Sequence, residues 1–283
     1  MDVSEIFALI LCGILTCAFL YRWYRYTYAG WPSARNQRAK NVFAVLPLFS
    51  LAIILFTLEG LASFDVIGNA FWTFFYIIMG YAWIYAGLTA ISMFFDISWI
   101  DDVLNLNNNA ALIALTGGFL GLTMIYSGAN IGSGPGWWCV IFAGGLGLTA
   151  WIILGLIITA VTRVFYRITV ERDICCGIRT GSYFLASGLI LGRASAGDWT
   201  SFEMTLIEFL DGWPVLILAL AVILIELGFK GESKAKGFSK KSKKSDNNLY
   251  ASIIIGFIYI KLAITCIILS PSLPVNPEWG IML

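Results

Sequence analysis

The chain has 283 residues, of which 59% are hydrophobic and 12% charged, and its formal net charge is +1. A soluble domain carries about 25% charged residues to wet its surface, so this composition excludes a globular protein in water, and the near-zero net charge gives no field that would gather nucleic acid. The apolar residues come in long runs, and a bilayer takes about 20 of them per helical crossing, which predicts an all-α polytopic membrane helix bundle.

In chain order the runs cover residues 4–24, 41–61, 68–95, 109–131, 136–162, 173–195, 207–229 and 249–270. At about 1.5 Å per residue each can span a hydrocarbon core of about 30 Å. The first run follows Asp2 and Glu5, and positive charge appears only after it, at Arg22 and Arg25. That order predicts an uncleaved first helix with its N-terminus outside, and not a signal peptide. The third and fifth runs are long enough to tilt or to emerge from the membrane. The seventh contains Pro214 near its start and is either a full span or a shallow segment, which would leave seven spans.

Basic residues assign the sides. Arg22, Arg25, Arg35, Arg38 and Lys40 follow the first run, Arg163, Arg167 and Arg172 follow the fifth, and seven lysines from Lys230 to Lys244 follow the seventh. With both termini outside, all of these fall in the cytoplasm, as the positive-inside rule asks, and the outer loops keep only Arg193. The acidic loop of Asp96, Asp101 and Asp102 lies on the same inner side without overturning this, because acids contribute little to orientation. The domain reading is a membrane bundle over 1–229, a basic linker over 230–247, and the last span with an outer tail over 248–283. Its Gly-, Ser- and Lys-rich stretch from Gly231 to Asn247 reads as disordered, either a solvated orientation signal or a site for anionic lipid headgroups.

The fourth and sixth runs predict an internal repeat, 109–172 and 173–229. Asn109 with Thr116-Gly117-Gly118-Phe119 matches Asp173 with Thr180-Gly181-Ser182-Tyr183 at a shift of 64, which also matches Gly128 to Gly192. The eighth run has Asn248 and Gly256 at the same separation, and the second has Asn41 with Phe49 in place of the glycine. An Asn or Asp at such a start caps the free N–H groups of a first helical turn. The motif stays on one side, so the predicted units are parallel helical hairpins. The glycines Gly117, Gly121, Gly128 and Gly132 repeat in spacing at Gly177, Gly181, Gly188 and Gly192, a stripe that lets helix backbones approach closely in lipid. That stripe alone superposes with a shift of 60; 64 is preferred because it aligns the caps as well. With Gly144, Gly145, Gly147 and Gly155 in the fifth run, runs four to six are expected to form the tight centre, and the seventh to be peripheral.

The stretch Asn109 to Gly118 resembles the opening signature of the YjfL-like family of bacterial membrane proteins, a domain of unknown function. The signature has Asn, two spaced alanines and a Gly-Gly pair before an apolar run; Asn109, Ala111, Gly117 and Gly118 match it, while Ile113 departs. The copy from Asp173 to Ser182 departs further, with Asp173 for Asn, Cys175 and Gly177 for the alanines and Ser182 for the second glycine. The resemblance covers about residues 40 to 200 and implies a multi-helix protein of the bacterial inner membrane, built from duplicated units, with no substrate or catalytic residue to carry over.

Four ionisable residues fall inside the runs: Glu59, Arg179, Glu226 and Lys261. Such residues are functional candidates because a charge in hydrocarbon is costly. One reading pairs Arg179 with Glu226 and sends Lys261 to Glu59 or to an outer acid of the seventh run. The other has long side chains snorkelling to the interface, and it is preferred for Arg179 and Glu226. For Lys261, near mid-depth, the two readings balance.

Chemistry beyond that is sparse. There is no histidine, no nucleotide-binding fingerprint and no metal-ligand spacing, and the six cysteines, Cys175-Cys176 included, read as small packing residues. The outer acids Asp198, Glu203, Glu208 and Asp211 read as an amphipathic connection before a catalytic set, and Gly132 to Trp138 as a hairpin turn leading into an interfacial aromatic belt. No enzyme activity, cofactor or metal is expected. Transport or channel activity for a small ion or solute leads, and a membrane scaffold or assembly subunit is the alternative. The partners implied are the bilayer, anionic lipids and, as an option, a second copy.

Overall fold

The computed structural model describes residues 2–28, 37–234 and 243–275. Among the described residues ten α-helices follow one another: α1 (Val3–Tyr28), α2 (Gln37–Gly60), α3 (Ala70–Phe95), α4 (Asn109–Ala129), α5 (Trp137–Thr162), the short α6 (Val164–Thr169), α7 (Ile174–Ala194), α8 (Phe202–Phe209), α9 (Pro214–Lys234) and α10 (Lys243–Leu269). Among the described residues, eight helices are long and apolar enough to cross a membrane, with α8 and α9 counted together as one span over Phe202–Phe229. Their positions fall within a few residues of the runs expected from sequence. Pro214 opens α9 as its first residue, where its missing N–H costs no hydrogen bond.

The helices form two layers. Hydrogen bonds and glycine contacts link α2 to α4 (Ser50 with Thr123), α4 to α7 (Gly117 with Gly181, Gly128 with Gly192) and α7 to α10 (Arg179 with Ser252, Ser182 against Gly256). These four run in the same sense and make one row, α2–α4–α7–α10. The helices between them in sequence run the opposite way and make the second row, α1–α3–α5–α9, which packs against the first. One end of the bundle gathers Arg22, Arg25, Arg38, Lys40, Arg163, Arg167 and Arg172, together with Asp96, Asp101, Asp102, Glu171 and Asp173. The other gathers Asp2, Glu5, Glu59, Asp65, Asp198, Glu203, Glu208 and Asp211 with Arg193. They are called the basic and the acidic end below.

The centre is α4 and α7. Within their spans 78% and 67% of residues are buried, followed by 61% in α3, whereas α5 reaches only 39%. The expectation that the fifth run shares the tight centre is therefore corrected. A methyl group at Gly117 would stand 2.0 Å from the carbonyl oxygen of Gly181, and one at Gly128 2.0 Å from that of Gly192, so the two backbones touch. Gly121, Gly177, Gly181, Gly188 and Gly192 face backbone atoms of the partner helix in the same way. In α5, by contrast, Gly144, Gly147 and Gly155 receive the side chains of Trp83, Ile125 and Phe95, and Gly145 faces open space. Such glycines admit bulky partners on one face and leave the rest of the helix exposed. Gly132 lies beyond α4, at φ +101, and makes a left-handed turn that takes no part in the stripe.

The expected caps need correction at three positions. Asn108, one residue before Asn109, caps α4: its side-chain oxygen accepts from the amides of Ala110 and Ala111 at 3.0 and 3.2 Å. Its amide nitrogen donates to the carbonyl of Ile168 at 2.8 Å, so the same side chain anchors α6. Asp173 caps α7 through the amide of Cys176, at 3.1 Å. Asn248 and Asn41 lie inside α10 and α2, because both helices begin before the apolar run does. For the same reason the basic linker is shorter than expected: α9 runs through Lys234 and α10 starts at Lys243, while 235–242 fall outside the described residues, as does Arg35.

Candidate functional site

The first polar cluster sits near the basic end, where α6, α7, α9 and α10 meet. Arg163 ends α5 in a left-handed conformation, φ 58, and the chain turns directly into α6, which brings Arg167 under α7. Arg167 donates through one guanidinium nitrogen to Asp173 and through another to Glu226, each at 2.6 Å. Glu226, on α9, is fully buried and also takes two prongs from Arg179: Nε to Oε1 at 2.5 Å and Nη2 to Oε2 at 2.9 Å. The third nitrogen of Arg179 donates to Ser252 Oγ at 2.5 Å, and Ser252 donates on to the carbonyl of Asn248 at 2.8 Å. The ring of Phe229 lies 4.1 Å from the Arg179 guanidinium carbon, a cation–π contact. Desolvation pulls Arg167 down, but Cys176, Glu226 and Asp173 outweigh it and hold the guanidinium above the ordinary arginine range, so it stays charged.

Two guanidinium groups thus face two carboxylates, and the cluster is neutral. Arg179 and Glu226 are both 0% exposed, which leaves neither a path to the interface. The preferred snorkelling reading is corrected by that burial; the pair is an internal one. Its geometry satisfies both ions, the condition under which a buried pair can be held at all. The Sγ of Cys176 lies 3.9 Å from Glu226 as a further weak donor, and the six cysteines are all free thiols.

Glu59 and Lys261 are not brought together. Glu59 is next to the last residue of α2, where its carboxylate accepts from Thr73 Oγ at 3.0 Å and from the amide of Gly68 at 3.4 Å. Lys261 stands at the other end of the row, on α10, and among the described residues no ion pair reaches it. It is exposed. The face by which α10 meets α7 carries Ser252, Gly256, Tyr259 and Ala263. At about 100° per residue, Lys261 points directly away from that face. Neither proposed carboxylate partner forms an ion pair with Lys261 among the described residues: Glu59 lies at the far edge of the row, and the outer acids of the seventh run lie at the acidic end.

A second polar region closes the acidic end. Three loops and the tail after α10 are sewn together by main-chain bonds: Gly132 to Leu61 at 3.0 Å, Gly197 to Ile131 at 3.0 Å, Trp199 to Ser133 at 2.7 Å and Asp198 to Pro274 at 2.9 Å. Gly197, at φ +137, is packed against the Pro274 ring. Under this cover lies a cavity of about 60 Å³, lined among others by Asp65, Asp198 and Glu208. At about 15 Å³ each, it has room for about four waters. The carboxylate of Asp198 is engaged by the amide of Ser133 at 2.7 Å. Among the described residues no group of three or more His, Cys, Asp or Glu could hold a metal ion. Trp138 packs edge-on against Trp199, 4.8 Å between centroids, so the aromatics after the Gly132 turn bind the loop cover to α5.

Sequence reasoning missed Arg167 and Ser252 as members of the buried cluster, and it missed the loop cover. In the sequence Arg167 reads only as an orientation charge. The available signal was its place six residues before Asp173, within reach of the same helix start. The loop cover rests on main-chain bonds between distant segments and left no side-chain pattern to read.

The features define an all-helical bundle with the build of a multi-pass membrane protein. No protein-family model matches the chain, and no curated protein or solved structure matches it either.

Proposed function

We propose that the chain is a membrane assembly subunit, which docks another membrane-embedded helix on the exposed face of α10. The single observation behind this reading is Lys261, a cation standing on the outside of a membrane-length helix near its middle. A charge left there in lipid is costly, and an arriving partner removes that cost. The other expectation, transport of a small ion or solute, would draw on polar groups along a passage. The described charged groups, Lys261 apart, gather instead toward the two ends, and the backbones of α4 and α7 touch between them.

The orientation that goes with this proposal has both termini outside and the basic end in the cytoplasm, in accord with the positive-inside rule. The YjfL-like resemblance supports a bacterial inner-membrane setting. It also fits a duplicated hairpin array, since the residues that touch between α4 and α7, Gly117 with Gly181 and Gly128 with Gly192, are 64 apart.

An encoded photo-crosslinker at Phe257, on the Lys261 face, is expected to give a discrete protein adduct in native membranes. The same group at Phe49, exposed on α2, gives lipid adducts alone. Lys261→Met should weaken the Phe257 adduct by about tenfold, the value of one to two kcal/mol of interhelical polar contact. Lipid adducts alone at both positions would refute the docking reading. Solute flux in proteoliposomes that Lys261→Met abolishes would put transport in its place.

A further inference from the structure

We infer that the partner of the α10 face is a transmembrane helix of a different chain that carries a carboxylate at mid-depth, opposite Lys261. This rests on the docking reading above and names its chemistry. The α10 stripe turned away from α7 comprises Tyr250, Ile254, Phe257, Lys261, Ile264 and Ile268. Its apolar members are 47% exposed or more, Phe257 at 70% and Ile268 at 74%. The steps of four, three, four, three and four are those of a left-handed helix-pairing seam, and a single polar residue in such a seam sets register and partner. The α2–α4–α7–α10 row also ends at α10, so a helix on this stripe would extend the row by one.

The depth of Lys261 works against the simpler outcome of snorkelling. Its Cα lies eight residues before the end of α10, about 12 Å below the acidic end at 1.5 Å per residue. The nearer interface is therefore the acidic one. Side chains on a helix lean toward its N-terminus, however, and for α10 that is the basic end. The lysine stem leans away from the water it could reach, and toward the far interface about 20 Å from its Cα, counted from Asn248. An ammonium held there is met best by a carboxylate already in the hydrocarbon.

Among the described residues, a second copy of this chain offers no such group. The described carboxylates lie at helix ends and in connections, or are sealed in the buried cluster, as Glu226 is. Glu59 and Glu203, both on exposed helix surfaces, lie at the acidic end, and Glu59 already holds Thr73.

The test uses the full chain in phosphatidylcholine vesicles with fluorophore-labelled, leucine-rich peptides of about 20 residues, which span the bilayer. One peptide carries a central Glu and its control a central Gln. Energy transfer should report association about tenfold tighter for the Glu peptide. Lys261→Met should erase the preference, and Lys261→Glu should transfer it to a peptide with a central Lys. Equal association of the Glu and Gln peptides would overturn the inference. So would a Lys261 preference that disappears when anionic phosphatidylglycerol is added, because the cation would then be satisfied by lipid phosphate. A Phe257 protein adduct in native membranes without any Glu preference leaves the docking reading standing and removes only its chemistry. Glu preference without the native adduct does the reverse.

Discussion

Arg179→Leu is expected to cost about 3–5 kcal/mol of stability, the penalty for stranding one member of a buried ion pair. The substitution removes three donors at once: the two that hold Glu226 and the one that holds Ser252. It also empties the site beneath Phe229. Glu226 keeps only Arg167 as an ionic partner, whose other arm is committed to Asp173. Reversible unfolding in mixed micelles would measure the loss. Arg179→Leu with Glu226→Leu should cost clearly less than the two single losses added, because residues in one network couple and the double change leaves Arg167 balanced by Asp173. Strict additivity would mean that the pair is not joined in the folded protein. The effect reaches beyond local stability, since this cluster ties α6, α7, α9 and α10 and thus fixes the helix that presents Lys261.

Gly128→Val should cost about 3 kcal/mol, at the high end of overpacking penalties. The added Cβ would meet the carbonyl oxygen of Gly192 at 2.0 Å, and neither backbone can turn aside as a flexible side chain would. The two helices must separate by about 1 Å or more, and in lipid that forfeits close packing along the pair, with no hydrophobic force to offset it. Gly145→Ala supplies the contrast. Its Cβ meets nothing within 4 Å, so the variant should be neutral, or more stable by up to about 1 kcal/mol from helix propensity. Thermal aggregation of detergent-solubilised protein, compared across the two variants, checks both. Equal behaviour would show that α4 and α7 do not touch.

Much of this fold is legible in the sequence, because bilayer thickness imposes one length on every span and backbone amides in hydrocarbon must bond within their own helix. Those constraints are local, and they place the eight spans within a few residues, while the short α6 carries no such signal. The glycine stripe was legible for a similar reason: Gly117, Gly128, Gly181 and Gly192 occur at spacings that only one helix face explains. Which helix each stripe faces was not, as α5 shows. Its glycines look the same in sequence, yet they receive Trp83, Ile125 and Phe95 and no backbone. The start of α4 offers Asn107, Asn108 and Asn109 in succession, and only the position of Ile168 decides that Asn108 makes the cap. The charges were visible one by one. Their partners depended on a row order, α2–α4–α7–α10, that puts Lys261 and Glu59 at opposite edges, and no local pattern encodes that distance.

The account turns on Lys261 lying in the hydrocarbon with its side chain outward. An encoded environment-sensitive fluorophore at position 261, read in vesicles with nitroxide-labelled lipids, tests this directly. The account predicts strongest quenching by nitroxides placed near the middle of the acyl chain, with almost none by aqueous iodide. Efficient iodide quenching, with lipid nitroxides ineffective, would place the residue in a water-filled space and contradict it.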